Sequence, residues 1–360
     1  MKKRSMLVMA TVLALLMILA ACGGSSSPES SDSSGGGSEG GYDGETIELT
    51  LSHFNPPTAI SAMQLEAWAK RVEDRAEGKI KINIFPGGSL GAPQDHYNMA
   101  KEGTVDIAYT FVGINPGVFP ISEGFGLPMI GFENAWQSSM AMEDMYLNNE
   151  DMQKEYADVK LMYIQSFDPA IVGTNGKKIE TMEDLKGLKL RITAGPVNSF
   201  FTKLGASPVT APVTEIYTNL EKKILDGFYA DSTSLVDYKL AELSTNILDG
   251  KICAGPFIIV MNLDKWNSLP DDLKACFDAE NGLVATDNCG KMWDEYTKEV
   301  YADLESQGKE INRLSAEERA RWEELAAQVA QEWIADMDGK GYDGQALYDE
   351  IIAYKDKYVQ

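Results

Sequence analysis

Histidine and cysteine are scarce in this chain: its 360 residues include two histidines and four cysteines. His53 and His96 stand in no spacing typical of a metal site or a catalytic triad, and the motifs G-x-S-x-G and H-E-x-x-H do not occur. The sequence therefore predicts no metal, no cofactor and no catalytic residue. A secreted lipoprotein enzyme stays an alternative, because Asp and Glu residues far apart in sequence could meet in a catalytic pair.

The cysteine spacing matches no zinc or redox motif and implies no disulfide scaffold. Cys253, Cys276 and Cys289 follow Cys22 at irregular distances, and their odd number leaves at least one unpaired. We expect buried or partly buried free thiols. A bridge between Cys276 and Cys289 is the alternative.

Positive charge is also in short supply. The chain has 32 basic and 55 acidic residues, which gives a formal net charge of −23. Nucleic acid is not an expected partner, because binding it requires a basic surface. The excess of acidic residues favours solubility and repels the protein from anionic lipid. An anionic ligand would need a local positive site, so an arginine in a pocket would be informative.

Long apolar runs are missing after residue 21. A basic start precedes an apolar run over 6–21, which is too short for a membrane span of about 20 residues but typical of a signal peptide. The segment Leu19-Ala20-Ala21-Cys22 resembles a lipobox, in which cleavage leaves a lipidated cysteine. We predict a lipoprotein signal peptide over 1–22 with lipidation at Cys22. An ordinary signal peptide with an A-x-A-like cleavage site is the alternative.

Residues 23–44 are mainly Gly, Ser and acidic residues, which cannot bury enough apolar surface to fold. This composition predicts a flexible tether. Together with the leader, it predicts an exported protein that is lipid-anchored to the outer face of the plasma membrane, in the periplasm or at the cell surface.

From residue 45 onward the chain alternates between strand and helix patterns. Strands over 47–51, 80–85 and 105–111, with helices between them, form a βαβαβ series that predicts a parallel sheet. A second βα series follows Asp168-Pro169, and the chain ends in helices. We predict an α/β protein with two domains. Their predicted ranges are 45–168 plus 251–285 for the first, and 169–250 plus 286–360, with the C-terminal helices, for the second.

The segment over 179–205 places one arginine where it could hold an anion. Leu188, Leu190 and Ile192 alternate with polar residues as in a strand, and the following Gly195-Pro196 turns the chain into a helix. Arg191 is thus predicted at the carboxyl end of a strand, beside a helix N-terminus. Ligands bind at such ends in open α/β sheets, and a guanidinium there could clamp a carboxylate. An ion pair at the surface is the simpler alternative.

Several motifs, taken in chain order, resemble the solute receptors of tripartite ATP-independent periplasmic (TRAP) transporters, the DctP-like family. Each motif is weak alone, but together they cover nearly the whole chain beyond the tether. They are FPGGSLG at 85–91, GTVD at 103–106, DLKGLKLR at 184–191, LGASP at 204–208, EIY at 215–217, DG at 226–227 and W-x-x-L-P at 266–270.

The resemblance implies a two-domain periplasmic-binding-protein-like (Venus flytrap) fold in which a long helix braces both domains. It also implies that a ligand is closed between the domains and is then passed to a membrane permease driven by an ion gradient. In this family the arginine after D-L-K-G usually pairs with the ligand carboxylate, and Arg191 stands at that position. A receptor for an ATP-driven importer is the alternative, and neighbouring transporter genes would distinguish the two.

Two departures from the family pattern predict a less polar cleft. Many acid-binding members carry a second arginine where this chain has Ala170-Ile171-Val172-Gly173-Thr174. Where members often have D-G-x-E-N-P, this chain has DGFYAD at 226–231, so the amide that would contact the ligand is missing. A single carboxylate on an apolar or aromatic body would suit one arginine among aromatic residues, although core packing is the alternative for each aromatic. The predicted ligand-binding residues are Arg191, Phe54, Asn55, Phe111, Ile171, Val213, Phe228, Tyr229 and Asp231.

Overall fold

The computed structural model describes residues 41–359. The predicted signal peptide, its lipidation site Cys22 and all but the last four residues of the predicted tether lie outside the described residues. The strands are β1 (Ile47–Ser52), β2 (Ile80–Phe85), β3 (Ile107–Phe111), β4 (Val159–Ser166), β5 (Ile171–Thr174), β6 (Lys189–Ile192), β7 (Ser207–Thr210), β8 (Gly227–Ala230), β9 (Asn246–Leu248), β10 (Pro256–Asn262) and β11 (Ile311–Asn312).

Twelve α-helices occur within residues 41–359. They are α1 (Ile60–Arg75), α2 (His96–Lys101), α3 (Ala135–Asn148), α4 (Glu150–Lys154), α5 (Pro196–Lys203), α6 (Ile216–Glu221), α7 (Ser234–Asp237), α8 (Leu263–Ser268), α9 (Asp271–Asp278), α10 (Gly282–Ser306), α11 (Ala316–Gly339) and α12 (Gly344–Lys357). Short 3-10 turns lie at Pro93–Asp95, Val112–Ile114, Ser122–Gly126, Met182–Leu185, Val213–Glu215 and Leu240–Glu242.

The first sheet has the strand order β2-β1-β3-β10-β4. Strand β1 pairs in parallel with β2 and β3, as the βαβαβ pattern predicts. Strand β10, however, runs antiparallel between β3 and β4. The parallel pairing predicted for β1, β2 and β3 is thus confirmed, and the sheet as a whole is mixed because β10 returns from the second half of the chain and inserts in the opposite direction.

The second sheet has the order β11-β9-β5-β8-β6-β7. Strand β6 lies between β7 and β8 and is parallel to both, whereas β5 is antiparallel to β8 and β9. The short strands β5, β9 and β11 carry too few residues to show a periodic pattern in the sequence.

Two chain segments connect the sheets and bond to one another. The segment after β4 and the segment before β10 run side by side: the Ala170 amide donates to the Cys253 carbonyl at 2.9 Å, and the Ile252 amide donates to Ala170 at 3.3 Å. The two lobes are thus joined by paired crossing strands. This arrangement is typical of a two-domain fold with a cleft between the lobes.

The long helix α10 contacts both lobes. It packs against α1, α3 and β4 of the first lobe, and its later residues Val300 and Leu304 lie in a hydrophobic core with Leu235 of the second. Helix α11 packs on α5, and α12 packs on α3. Helix α10 runs without a break across the predicted boundary at residue 285. The domain ranges therefore stay a prediction, since the C-terminal helices belong to neither lobe alone.

No helix within residues 41–359 is long and apolar enough to cross a membrane, and the same residues contain no group of three or more His, Cys, Asp or Glu side chains that could hold a metal ion. Cys253, Cys276 and Cys289 are all free. The alternative of a Cys276–Cys289 bridge is therefore not seen.

Candidate functional site

A cavity of about 60 Å³ lies between the two sheets, with room for roughly four to six water molecules. Its walls come from the carboxyl ends of β1, β3, β4, β6 and β8, together with the start of the antiparallel β10. The lining residues are Phe54, Asn55, Ser61, Pro93, Phe111, Ile114, Phe167, Arg191, Thr193, Pro212, Val213, Tyr229, Ala230, Asp231, Thr233, Ser234, Asp237, Tyr238, Phe257 and Trp293.

Local sequence signals bring Arg191 to this cavity. Thr181 and Asp184 form a capping box at the turn before β6, and β6 is buried along most of its length. Gly195 then adopts a φ of 83°, a conformation that favours glycine, and Pro196 begins α5. Arg191 consequently lies near the end of β6, a few residues before the N-terminus of α5 at Pro196.

The guanidinium of Arg191 is buried and held by neutral groups. Its Nε donates to the Ala211 carbonyl at 2.7 Å, and Nη1 donates to the Tyr229 carbonyl at 3.0 Å. These carbonyls follow β7 and lie on β8, the strands on either side of β6. Within residues 41–359, Nη2 makes no hydrogen bond, and Arg191 takes part in no ion pair. The guanidinium thus lines the cavity and keeps N–H groups that can donate to a ligand.

Burial has an electrostatic consequence for this residue. Arg191 is 5% exposed, and desolvation lowers the pKa of its guanidinium to about 10, opposed by the nearby Tyr229 and Asp231. The group still carries its positive charge at neutral pH. A buried charge without a bonded counter-ion is costly, so a ligand anion in the cavity would relieve that cost.

Aromatic rings form much of the remaining wall. The Phe111 ring lies 5.1 Å from Phe257 and 5.8 Å from Phe167, measured between ring centroids. Phe54 and Trp293 also face the cavity. Rings at these distances pack edge to face or tilted, and they offer flat apolar surface to a ligand. The cavity therefore combines one cation with an aromatic wall.

Polar contacts cross the cavity from one lobe to the other. The Tyr238 hydroxyl donates to Oδ1 of Asn55 at 2.7 Å, and the Ile60 amide at the start of α1 reaches Oδ2 of Asp237 at 3.4 Å. Asp231 is occupied locally, because Oδ1 and Oδ2 accept from Thr233 and Ser234 at 2.7 to 2.9 Å. Asn55 and Asp231 thus line the cavity while making protein contacts.

Seven of the nine predicted binding residues line the cavity: Arg191, Phe54, Asn55, Phe111, Val213, Tyr229 and Asp231. The structure contradicts the prediction for the other two. Ile171 and Phe228 are fully buried in the core on the opposite face of the second sheet. Side chains alternate along a strand, so Tyr229 faces the cavity and the adjacent Phe228 turns away. The Phe228 ring packs over Gly173, whose missing side chain leaves the necessary space.

Other lining residues were missed by reasoning from the sequence. Thr193 could have been found, because it lies two positions after Arg191 and strand alternation places both on one side. Phe167 directly follows β4 as Phe111 ends β3, which is the same signal that identified Phe111. Asp237 and Trp293 carry no such signal, since the end of the short helix α7 and the middle of α10 bring them to the cavity.

Two α/β lobes joined by paired crossing strands, with a lone buried guanidinium in the cleft between them, define an extracytoplasmic solute receptor of the periplasmic-binding type. The family model of the DctP type, bacterial extracellular solute-binding protein family 7, matches residues 51–336. The chain belongs to this family, and it is a TRAP solute receptor. The resemblance read from the sequence motifs is thereby confirmed, and the ATP-driven alternative is not favoured.

Solved structures of similar proteins agree with this assignment. A TRAP solute-binding protein from Rhodoferax ferrireducens T118, in complex with copurified benzoate, is 28% identical with a TM-score of 0.83, and the match covers 87% of this chain and 98% of that one. A marine metagenome TRAP protein specific for aromatic acid ligands, with bound metahydroxyphenylacetate, is 27% identical with a TM-score of 0.83 over 87% and 100% of the chains. The two-domain fold with its long bracing helix is confirmed.

A further similar protein is found by sequence comparison. The outer membrane transporter protein TsaT of Comamonas testosteroni is 24% identical over 297 residues, which is 82% of this chain and 87% of that protein. The family and the structural neighbours are solute receptors and not enzymes.

Proposed function

We propose that this receptor captures a small monocarboxylate with an apolar or aromatic body between its lobes and delivers it to an ion-gradient-driven TRAP permease. The observation that carries the proposal is the Arg191 guanidinium, which is 5% exposed, lines the cavity and is bonded only to neutral carbonyls. A ligand carboxylate supplies the missing negative charge.

A carboxylate fits the free edge of Arg191 better than a neutral group does. Nε and one N–H of Nη1 are engaged, so the two N–H groups of Nη2 and the second N–H of Nη1 remain for the ligand. A charge-assisted hydrogen bond stabilises a complex by about 1.5–3 kcal/mol. In a cavity closed to water this contact is strengthened further, because the local dielectric is low.

The aromatic wall favours an apolar ligand body. Phe54 and Phe111, with Tyr229 on the opposite lobe and Val213 beside it, would contact that body, while Asn55 and Asp231 would lie at its polar edges. The proteins of similar structure that hold benzoate and metahydroxyphenylacetate support an aromatic acid.

Closure of the lobes is the step that the permease would detect. A ligand favours the closed state only by its greater affinity for that state, and a carboxylate bound at Arg191 with its body against Phe54 or Phe111 would contact both lobes. In this account the receptor is exported and held to the outer face of the plasma membrane through lipidated Cys22, and residues 23–44 act as the tether.

A thermal-shift screen tests the ligand class. Aromatic monocarboxylates such as benzoate, aliphatic monocarboxylates and dicarboxylates are each added to the wild-type protein. We expect aromatic monocarboxylates to raise the melting temperature most, because a ligand that binds only the folded state stabilises it by mass action. A screen in which only sugars or dicarboxylates stabilise the protein would contradict the proposal.

The anchor has a separate test. A Cys22→Ala variant should lose its lipid label and appear in the soluble fraction, while wild-type protein fractionates with membranes. Wild-type protein that is already soluble and unlabelled would remove the anchor and leave the ligand proposal intact.

A further inference from the structure

The cavity wall carries two carboxylates in addition to its guanidinium. Asp231 and Asp237 both line the cavity, and among the described lining residues Arg191 is the sole cation. A monoanionic ligand therefore meets attraction at one point of the cavity and negative charge at another. The two carboxylates therefore restrict which ligand group can lie beside them.

The two carboxylates differ in how far the protein already uses them. Asp231 accepts three hydrogen bonds from the hydroxyls of Thr233 and Ser234 and from the Ser234 amide. These bonds fix Asp231 at the turn before α7. Its main effect on a ligand is consequently its charge.

Asp237 has acceptor capacity left. Its Oδ1 accepts from the Tyr296 hydroxyl at 2.9 Å. Its Oδ2 accepts from the Ile60 amide at 3.4 Å, which is long for an N–H···O bond, and the Thr233 hydroxyl, which donates to Asp231, lies close enough to lower the pKa of Asp237. A carboxylate offers about four lone-pair sites, so a donor from the cavity can be accommodated at Oδ2.

The electrostatics of Asp237 also favour a donor over an anion. Burial, together with the charge of Asp231, raises the pKa of Asp237 to about 7. A second anionic group on the ligand would add to this repulsion, whereas a hydroxyl or ammonium group would relieve it.

We propose that Asp237 accepts a hydrogen bond from a hydroxyl or ammonium group of the ligand, so that the site selects donor-substituted monocarboxylates over unsubstituted ones and over dicarboxylates. This rests on the proposed function, in which Arg191 holds the carboxylate. The ligand would then contact a cation on β6 and an acceptor at the end of α7. Arg191 would bind its carboxylate, and Asp237 would bind its hydroxyl or ammonium group.

Calorimetric titration at pH 8 tests the selection, because Asp237 is then ionised while a phenol, with a pKa near 10, keeps its proton. The probes are benzoate, its 3- and 4-hydroxy derivatives, the 3- and 4-(aminomethyl) derivatives and the dicarboxylate isophthalate. Comparison of the hydroxy derivatives with the aminomethyl derivatives shows whether the site prefers a hydroxyl or an ammonium donor. We expect one donor-bearing acid to bind about tenfold more tightly than benzoate, the effect of one hydrogen bond to a charged group, and isophthalate to bind more weakly than benzoate.

Variants assign that gain to Asp237. In Asp237→Ala the preferred acid should bind no better than benzoate. In Tyr217→Phe, which removes a surface hydroxyl bonded to Glu242 and leaves the contacts of Asp237 unchanged, the gain should persist. Should Asp237→Ala fail to fold, Asp237→Asn removes the charge at nearly constant volume and should abolish the ammonium gain.

The outcomes separate the two proposals. Benzoate binding without any gain for a donor-bearing acid, or a gain that survives in the Asp237 variants, overturns the selection and leaves the monocarboxylate receptor in place. If none of the aromatic acids binds to the wild-type protein, the proposed ligand class fails and the selection fails with it.

Discussion

The hydroxyl of Tyr238 donates a hydrogen bond of 2.7 Å to Oδ1 of Asn55. Tyr238 follows α7 in the second lobe, and Asn55 follows β1 in the first. The bond therefore spans the cleft and joins two residues that both line the cavity. It can form only when the lobes are close together, so it contributes to the closed state and not to an open one.

Removal of this bond should weaken ligand binding. In Tyr238→Phe we expect affinity for an aromatic acid to fall by about fivefold, because a neutral hydrogen bond contributes about 1 kcal/mol and this one forms on closure. Calorimetry measures the effect. Tyr217→Phe is the matched control, since the Tyr217 hydroxyl bonds Glu242 on the surface at 3.0 Å. Equal affinities for wild type and Tyr238→Phe would show that the bond does not act in closure.

The two faces of the second sheet should respond differently to truncation. Phe228→Ala should lower the free energy of unfolding by about 3–5 kcal/mol, the usual cost of emptying a buried phenylalanine site, because Phe228 is fully buried against Gly173. The folded fraction should still bind ligand. Phe111→Ala, at the cavity, should instead reduce affinity for an aromatic acid.

Urea unfolding and calorimetry on both variants check this contrast. Loss of affinity in folded Phe228→Ala with little change in stability would reverse the assignment and return Phe228 to the binding surface.

Replacement of the guanidinium by an ammonium should cost binding free energy. Arg191→Lys keeps the charge but loses the donor fork that reaches Ala211, Tyr229 and the cavity together. We expect affinity for a monocarboxylate to fall by about 1–3 kcal/mol. Arg313→Lys is the control, because its ion pair with Asp249 has a largely exposed arginine. Unchanged affinity in Arg191→Lys would remove this residue from the site.

Stability should depend on pH through Glu143, which accepts from the Ile164 amide at 2.7 Å. Burial raises the pKa of this carboxyl to about 8 from an ordinary 4.5. Between those values the native state binds more protons than the unfolded state, so its stability falls as pH rises. From pH 6.5 to 8.0 the loss should reach up to about 2 kcal/mol.

Urea unfolding across that pH range, with Glu143→Gln beside wild type, isolates this effect. The variant should show a flatter dependence on pH. Burial lowers the pKa of His53 to about 4 and also lowers that of His96, so both titrate only in the unfolded state near pH 6.5 and contribute equally to the two proteins; the difference between the slopes belongs to Glu143. Equal slopes for the two proteins would mean that Glu143 is ionised in the native state.

Residues whose position follows from local pattern were predictable from the sequence. Strand alternation and the Gly195-Pro196 turn were enough to place Arg191 at the end of β6. The same alternation separates Phe228 from Tyr229, because their side chains point to opposite faces of the sheet. Ile171 lies in β5, whose Ile171-Val172-Gly173 run shows no alternation of polar and apolar residues from which its face could be predicted.

Features set by distant parts of the chain were not predictable in this way. Strand β10 enters the first sheet antiparallel after the chain has built most of the second lobe, and no local signal gives that direction. Asp237 and Trp293 reach the cavity only because the end of α7 and the middle of α10 lie beside it in the fold. Their contribution depends on tertiary packing, which one sequence does not encode locally.

A crystal structure of the wild-type protein with benzoate tests the central claim most directly. We expect a carboxylate oxygen within about 3 Å of Nη2 of Arg191, with the ring against Phe54, Phe111 or Tyr229 and the lobes closed around it. A carboxylate bound elsewhere, or an Arg191 side chain that pairs with a protein carboxylate in the complex, would contradict the account.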